Sequence, residues 1–270
     1  MTAGVKTAKP SRRHGAEASV PATVLLAAGE SRQWNLAEEV PVNLSYNGRP
    51  HVVMMATPED LEDFAVGFSL SEGVLASPDL VRGVKVEPVE GGIMVEVTTA
   101  ARAEVARERQ ARSLEGRSGC GLCGMQRLDQ VVRNVRPVRA GFRVSAEAIA
   151  RALAALPERQ AMNRVNHSVH AAAWAGPDGA IALVREDVGR HNALDKLIGA
   201  MARSKVAPAD GFCVMTSRCS FELVQKCAAV GIPCLATVSA PTSLALDLAR
   251  RAGMVLASAS PDGVVLFDTV

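Results

Sequence analysis

The sequence has few aromatic residues, almost no net charge and no long apolar run. Nine of the 270 residues are Phe, Trp or Tyr, although 48% of the chain is hydrophobic, so the core must consist mainly of Val, Leu and Ala. The formal net charge of +2 gives no electrostatic basis for binding duplex nucleic acid. No apolar stretch is long enough to span a membrane. We therefore expect neither nucleic acid nor a membrane as a partner.

The six cysteines lack the arrangement of a disulfide framework or of a zinc site. A chain that can build its own core favours reduced thiols in the cytoplasm. Structural zinc needs four ligands, usually two close pairs, and the chain has one C-x-x-C pair. Cys213 and Cys234 lie in apolar segments typical of buried strands. The sequence therefore predicts a cytoplasmic protein without a structural metal.

Hydrophobic patterning divides the chain into three regions. Residues 1–20 are small and polar, which is typical of a disordered tail. Residues 21–140 form an N-terminal α+β region that ends in a mobile, glycine-rich cysteine loop at 118–124. Residues 141–270 alternate strands with helices through short loops, which predicts an α/β domain with a mostly parallel sheet. The predicted fold class is α/β, a mixed sheet flanked by helices, with a smaller N-terminal α+β subdomain containing β-hairpins.

The N-terminal region contains local signals for two hairpins and a helix. Asn47-Gly48 and Glu90-Gly91-Gly92 each separate two apolar runs, as expected for hairpin turns. Thr57 and Pro58 predict a helix start, with Thr57 as the cap.

The C-terminal region gives a series of short elements. Gly231 follows the apolar pattern of 221–230 and is expected to end a helix in the left-handed conformation. Ser145 is expected to cap a helix that starts at Ala146. Further strands are predicted at 180–184, 212–216, 233–238, 254–259 and 264–267, and further helices at 192–201 and 241–251.

Residues 118–124, Ser-Gly-Cys-Gly-Leu-Cys-Gly, carry the strongest chemical signal. Glycine is a poor helix former, so both thiols are predicted to lie on a loop rather than at the rigid helix start of a thioredoxin-type motif. A persulfide carrier needs an exposed thiolate that takes sulfur from a donor and then reaches a sheltered acceptor. The residues alone leave two interpretations open, a persulfide carrier and a thiol–disulfide oxidoreductase.

Polar loops follow three strands of the predicted α/β domain. Ligands of such sheets bind beyond the carboxyl ends of the strands, where helix N-termini offer N–H donors to phosphates. The candidate binding residues are Gly189, Arg190, His191, Ser217, Arg218, Ser239 and Thr242. Ordinary helix capping, which needs no ligand, is the alternative for each loop. His170, in a small-residue strand, is interpreted as a core residue.

Several segments together resemble one family, the formate dehydrogenase accessory proteins (FdhD). The similarity runs from about Val40 to the C-terminus. The matching segments are 57–68 with 71–73, 119–124, 170–172, 186–193 (Glu-Asp-Val-Gly-Arg-His-Asn-Ala) with Asp195-Lys196, 231–233 and 239–242. The resemblance implies a cytoplasmic, homodimeric sulfur carrier whose larger domain resembles cytidine deaminase without its zinc.

The resemblance also implies a reaction and its site. Sulfur would pass as a persulfide from a cysteine desulfurase to bis(molybdopterin guanine dinucleotide), before that cofactor enters formate dehydrogenase. The family's persulfide cysteine maps to Cys120 or Cys123, and we assign Cys120 as the bearer, Cys123 as assisting, and the protein as a sulfurtransferase. A cofactor-binding chaperone without thiol chemistry is the alternative function.

The resemblance implies a further cofactor contact near the C-terminus. The family usually has an aromatic residue and an Arg-Gly pair in the segment that would touch the cofactor. This chain has neither an Arg nor an aromatic residue there, so contact would have to use the backbone. The segment reads Ala259, Ser260, Pro261, Asp262, Gly263 and Val264.

Overall fold

The structure is a computed structural model that describes residues 18–25, 27, 29–100, 135, 137–138 and 142–267. Most of the predicted tail and the whole cysteine segment 118–124 lie outside the described residues. Within the described part of the chain, no helix is both long and apolar enough to cross a membrane.

A two-stranded ribbon begins the described chain. Strand β1 (Ser19–Leu25) pairs antiparallel with β2 (Ser31–Ala37). Its base is attached through a small apolar cluster that contains Ala18, Met162 and Val169. Strand β1 already includes Ser19 and Val20, which the sequence assigned to the tail.

A four-stranded sheet follows, in the order β4-β3-β6-β5. Its strands are β3 (Val40–Tyr46), β4 (Arg49–Ala56), β5 (Val81–Val89) and β6 (Gly92–Thr99). Both predicted hairpins are confirmed. The first turns at Asn47 and Gly48 with φ of 49° and 74°, the left-handed values that such a turn requires.

Helix α1 (Leu61–Ser71) packs its apolar residues onto this sheet. The predicted start at Pro58 was wrong, because the chain first passes through Asp60 in a left-handed conformation (φ 52°). Thr57 does not cap the helix. Its backbone N–H and its hydroxyl both donate to the carboxylate of Asp187, at 3.0 and 2.9 Å.

The C-terminal region contains a six-stranded sheet in the order β12-β11-β10-β9-β7-β8. The strands are β7 (His170–Ala175), β8 (Ile181–Asp187), β9 (Phe212–Met215), β10 (Cys234–Thr237), β11 (Val255–Ser260) and β12 (Gly263–Phe267). Strands β9, β10 and β11 are parallel, whereas β7, β8 and β12 join antiparallel. The mixed α/β class is confirmed, but the expectation of a mostly parallel sheet was wrong, because β7 lies between β8 and β9.

Helices cover both faces of this sheet. One face packs against α2 (Ala146–Arg159), which Ser145 caps as predicted. The other face packs against α4 (Arg190–Arg203), α5 (Phe221–Val230) and α6 (Ser243–Ala252). A short helix, α3 (Asn163–Asn166), precedes β7.

Helices α1 and α4 join the two sheets through close backbone contact. A Cβ atom at Gly67 would overlap with the carbonyl of Asp195, and one at Gly199 would overlap with the carbonyl of Asp63. Glycine at both positions therefore allows the helices to approach one another. This contact holds the start of α4 in a fixed position relative to the N-terminal sheet.

Candidate functional site

The candidate residues of the C-terminal region lie along one edge of the six-stranded sheet. The parallel strands β9, β10 and β11 end at this edge, at Met215, Thr237 and Ser260. His170 pairs with Asp187, so the start of β7 and the end of β8 lie there too. The structure therefore places the four predicted segments 189–191, 217–218, 239–242 and 259–264 along the same edge. Segments 189–191 and 259–264 are the furthest apart, because β10, β9 and β7 lie between β11 and β8.

The loops before α5 and α6 are joined to each other. Cys219 and Pro241 form a parallel bridge, and the N–H of Thr242 donates to the carbonyl of Cys219 at 3.1 Å. The N–H of Val238 donates to the carbonyl of Met215 at the same distance. The two helices consequently begin side by side at the sheet edge.

The helix N-termini at this edge differ in how they are capped. The hydroxyl of Thr242 accepts a hydrogen bond from the N–H of Ala245 at 3.3 Å and so caps α6. Ser220 precedes α5 without capping it, and its buried Oγ has no partner among the described residues. Gly189 precedes α4 and has no side chain with which to cap. The N-termini of α4 and α5 are therefore the ones that lack a side-chain cap.

The other predicted residues of the loops differ in what they can offer a ligand. Ser217 is buried, and its hydroxyl donates to the carbonyl of Arg218 at 3.1 Å. The carbonyl of Ser239 accepts a hydrogen bond from Thr237 at 2.6 Å. Arg218 is exposed at the edge. Of these three residues, Arg218 is the one best placed to contact a ligand.

Segment 259–264 forms the turn between β11 and β12. Ser260 pairs with Gly263, and the N–H of Asp262 donates to the hydroxyl of Ser260 at 3.2 Å. Ala259 and Pro261 are exposed. The exposed backbone of this turn lies at the same edge as the other segments, so a backbone contact with a ligand is sterically possible.

A fully buried ion pair lies directly beneath the start of α4. The carboxylate of Asp187 and the amine of Lys196 are 2.7 Å apart, and neither side chain is exposed. Asp187 also accepts hydrogen bonds from the N–H of Gly189 (2.8 Å) and the amide of Asn192 (3.0 Å). Lys196 donates to the hydroxyl of Thr57 at 2.7 Å. These groups fix α4 to strand β8 and to the loop before α1.

A second buried cluster involves Asp195, the residue of α4 directly before Lys196. The amine of Lys226 contacts Asp195 at 2.8 Å and Glu72 at 2.6 Å, and Ser71 donates to Asp195 at 2.6 Å. Burial, followed by the charge of Glu72, raises the pKa of Asp195 to about 6, against the opposing effect of Lys226. One amine therefore serves two carboxylates.

Two side chains at the start of α4 have buried polar atoms without a hydrogen-bond partner in the described part of the chain. These atoms are the Nε of Arg190 and the Nε2 of His191. His191 is 4% exposed, and burial together with the neighbouring charge of Arg190 lowers its pKa to about 3. Its imidazole is therefore neutral at physiological pH.

His170 belongs to the same group, although the sequence did not identify it as a site residue. It lies on the sheet face of Ala172 and Trp174, which pack beneath the helices on the α4 side. Burial and the charge of Arg190 lower its pKa as well. Segment 170–172 is one of the matching family segments, but the local pattern does not indicate that His170 lies near Arg190, because that proximity depends on the pairing of β7 with β8.

All four cysteines that the structure describes are buried and free, as predicted for Cys213 and Cys234. Burial raises the pKa of the Cys219 thiol to about 12. A hydrogen bond with Cys213, followed by burial, raises the pKa of Cys227, and burial raises the pKa of Cys234. Cys120 and Cys123 lie outside the described residues. Within the described ranges, no group of three or more His, Cys, Asp or Glu residues could hold a metal ion.

Comparison with known proteins relates the edge motifs to a family. The sequence profile of the FdhD/NarQ family matches residues 37–264, a range that includes every candidate residue. The chain belongs to the FdhD/NarQ family. The family resemblance expected from the sequence motifs is thus confirmed.

Relatives in the FdhD/NarQ family are similar over most of their length. The protein named "Sulfur carrier protein FdhD" from Bordetella bronchiseptica is 49% identical over 233 residues, which cover 86% of this chain and 84% of the relative. The protein of the same name from Chromobacterium violaceum is 52% identical over 235 residues, covering 85% and 87%.

The fold of the FdhD/NarQ chain also matches a solved structure. The crystal structure of a protein assigned as a formate dehydrogenase accessory protein, from Desulfotalea psychrophila, superimposes with a TM-score of 0.72. It is 23% identical, and the match covers 93% of this chain and 96% of the other. At this identity the match supports the fold.

Proposed function

We propose that this FdhD/NarQ family member is a sulfur carrier required for formate dehydrogenase activity. It takes sulfur as a persulfide from a cysteine desulfurase and transfers it to bis(molybdopterin guanine dinucleotide) before the cofactor is inserted. The observation that carries this proposal is the identity of about half the residues, over most of both chains, with relatives named sulfur carrier protein FdhD. The proposal includes a cytoplasmic location and a homodimer, as the family resemblance implies.

The thiol that carries sulfur is assigned to Cys120, with Cys123 assisting. A thiolate is the nucleophile in sulfur exchange, so a buried thiol with a raised pKa is a poor carrier. Cys219, Cys227 and Cys234 are disfavoured on that ground, and Cys213 is buried in the core. These findings support a carrier role for the two cysteines flanked by glycine.

The transfer takes place in two steps that conserve charge. The thiolate of Cys120 attacks the outer sulfur of the donor's persulfide, forming a new S–S bond while the donor leaves as a thiolate. In the second step the acceptor bonds to the outer sulfur with an electron pair of its own, so that the acceptor is formally oxidised by two electrons as it takes up the sulfur atom. Cys120 keeps the electron pair of the broken S–S bond and returns to the thiolate.

The sheet edge is the proposed binding place of the acceptor. The phosphates of a guanine dinucleotide are anionic, and they suit helix N-termini together with arginine side chains. Arg190 and the N-terminus of α4 fit this chemistry, because the buried Nε of Arg190 has no partner within the described residues. Arg218, exposed before α5, is a second candidate.

Mass spectrometry after incubation with a cysteine desulfurase and cysteine tests the proposal. We expect wild type and Cys123→Ala to gain the mass of one sulfur atom, and Cys120→Ala to gain none. Cys219→Ala is the matched control and should gain sulfur like wild type, because that thiol is buried. If neither Cys120 nor Cys123 gains a sulfur atom in the wild-type protein, the proposal is wrong.

A cofactor-binding chaperone is the second candidate function. It is favoured by the unpartnered groups at the edge, which could hold a ligand without any thiol chemistry. The Cys120→Ala/Cys123→Ala double variant separates the two functions in cells that depend on this protein for formate dehydrogenase activity. A chaperone should still support that activity, whereas a sulfur carrier should not.

A further inference from the structure

We propose that His170, Arg190 and His191 form one binding site for a phosphoryl group, in which Arg190 supplies the positive charge and the two imidazoles supply hydrogen bonds. The inference deepens the proposed function, because the acceptor named there carries diphosphates. It adds His170 to the site and defines how His191 acts.

The three residues lie near one another where β8 leads into α4, and their charges influence one another's pKa. His170 is the first residue of β7 and pairs with Asp187, the last residue of β8. Arg190 and His191 follow directly, as the first two residues of α4. Because side chains alternate along a strand, His170 shares the face of Ala172, which packs beneath α4.

Two buried polar atoms in this group require a partner that the described residues do not supply. A buried hydrogen-bonding atom without a partner costs free energy, so each such atom needs an explanation. The Nε of Arg190 and the Nε2 of His191 are both in this state. An oxyanion at the start of α4 would accept a hydrogen bond from each of them.

The backbone at the start of α4 is also prepared for an anion. Gly189 has no side chain to cap the helix, so the N–H groups of the first turn have no side-chain acceptor from the cap residue. The carboxylate of Asp187 accepts the N–H of Gly189 at 2.8 Å, and its other contacts are with Lys196, Thr57 and Asn192. The N–H groups of Arg190 and His191 therefore do not receive Asp187 as an acceptor. A Cβ atom at Gly189 would lie 3.1 Å from the amide nitrogen of Asn192, so the position is also tightly packed.

The state of the two imidazoles defines the chemistry of the site. Burial and the neighbouring Arg190 lower the pKa of both His170 and His191, which favours the neutral form of each imidazole in the unliganded protein. A neutral imidazole still offers one N–H donor. One guanidinium, helix N–H groups and imidazole N–H donors can together bind phosphoryl oxygens, and only the guanidinium in this set carries a full positive charge.

Calorimetric titration of the full-length protein with inorganic pyrophosphate tests this site. We expect Arg190→Gln to weaken pyrophosphate binding by about tenfold or more, since a charge-assisted hydrogen bond is lost. His191→Leu should weaken it by roughly fivefold to tenfold. His191→Gln, whose amide can donate from nearly the same place, should restore most of the affinity. His170→Leu and His170→Gln should behave as a second pair of the same kind.

Stability measurements distinguish binding from a structural role. Urea unfolding of His191→Leu should show no loss of stability, because the substitution replaces a buried polar atom that lacks a partner. If His191 had a purely structural role, His191→Leu would instead lower the stability of the protein and leave its pyrophosphate affinity unchanged. Arg251→Gln, at the exposed far end of α6, is the charge-matched control and should bind pyrophosphate like wild type.

Two results would overturn the inference. One is a wild-type protein that does not bind pyrophosphate, and the other is equal affinity in wild type and in the Arg190 and histidine variants. Sulfur loading of Cys120 tests the proposed function independently. If loading fails while pyrophosphate affinity depends on the three residues, the carrier proposal falls and this site stands. If sulfur loading succeeds while pyrophosphate affinity does not change in the variants of the three residues, the proposed phosphoryl site is wrong and the carrier proposal remains.

Discussion

The segment from Glu186 to Lys196 serves two different purposes in two neighbouring regions of the molecule. Beneath α4, the charges of Asp187 and Lys196 are fully buried and satisfied by each other and by Thr57. At the start of the same helix, Arg190 and His191 have buried atoms without partners in the described part of the chain. Asp187 and Lys196 therefore hold the fold through internal partners, whereas Arg190 and His191 have polar atoms that a ligand could contact.

The buried region below α4 is also where the two sheets are joined. Lys196 contacts the loop before α1, and Lys226 contacts Glu72 at the end of α1. Removing charges from water is costly, so such pairs mainly set the relative orientation of the elements they connect. This orientation places the start of α4 at the sheet edge.

Removal of one partner from the buried pair should have the largest effect on stability. Lys196→Met leaves the carboxylate of Asp187 buried without its counter-ion, so we expect a loss of about 3–5 kcal/mol in the free energy of unfolding. Urea denaturation measures this loss. The Asp187→Asn/Lys196→Met double variant should lose less than Lys196→Met alone, because it carries no uncompensated charge.

The exposed pair between Lys85 and Glu87 provides the matched control. Its atoms are 2.6 Å apart, but the side chains are 69% and 42% exposed. Lys85→Met should therefore change stability by less than about 0.5 kcal/mol. If Lys85→Met and Lys196→Met lose equal amounts of unfolding free energy, burial does not determine how much each ion pair contributes to stability.

The pH dependence of stability should report on the second cluster. The pKa of Asp195 is raised in the folded protein from 3.8 to about 6. The folded state therefore holds a proton that the unfolded state releases at lower pH. The associated stability is present below about pH 4 and is lost as the pH rises through 6. The amine of Lys226 remains charged, because Asp195 and Glu72 raise its pKa against the opposing effect of burial.

Asp195→Asn should remove this dependence. Between pH 4 and pH 7 we expect wild-type stability to fall by about 2 kcal/mol relative to the variant, in urea unfolding at each pH. Glu90→Gln, at an exposed hairpin turn, should show the wild-type profile. A wild-type curve parallel to that of Asp195→Asn would mean that Asp195 is ionised throughout.

Features fixed by local chemistry could be predicted from the sequence. The Asn47-Gly48 turn needs only its own positive φ values, and helix α5 ends at Gly231 in the left-handed conformation, as its sequence indicates. The convergence of the polar loops at one edge was predictable for β9, β10 and β11, because α5 and α6 connect them as parallel neighbours.

Features fixed by distant partners could not be predicted. Thr57 resembles a helix cap, but it binds Asp187, which lies 130 positions further along the chain. The insertion of β7 between β8 and β9 depends on sheet order, which local patterns do not encode. For the same reason His170 appeared to be an ordinary core residue.

Helix α6 gives the smallest test of the difference between satisfied and unsatisfied groups. Thr242, predicted as a binding residue, caps α6 through the N–H of Ala245. Thr242→Ala should cost about 1 kcal/mol in urea unfolding and leave pyrophosphate affinity unchanged. Ser145→Ala, which removes the cap of α2 on the other face of the sheet, should cost a similar amount. If Thr242→Ala lowers pyrophosphate affinity and Ser145→Ala does not, Thr242 binds the ligand as well as capping α6. A side chain with an internal hydrogen-bond partner could then also be a ligand-binding group, and the distinction between residues that stabilise the fold and residues that bind the ligand would fail.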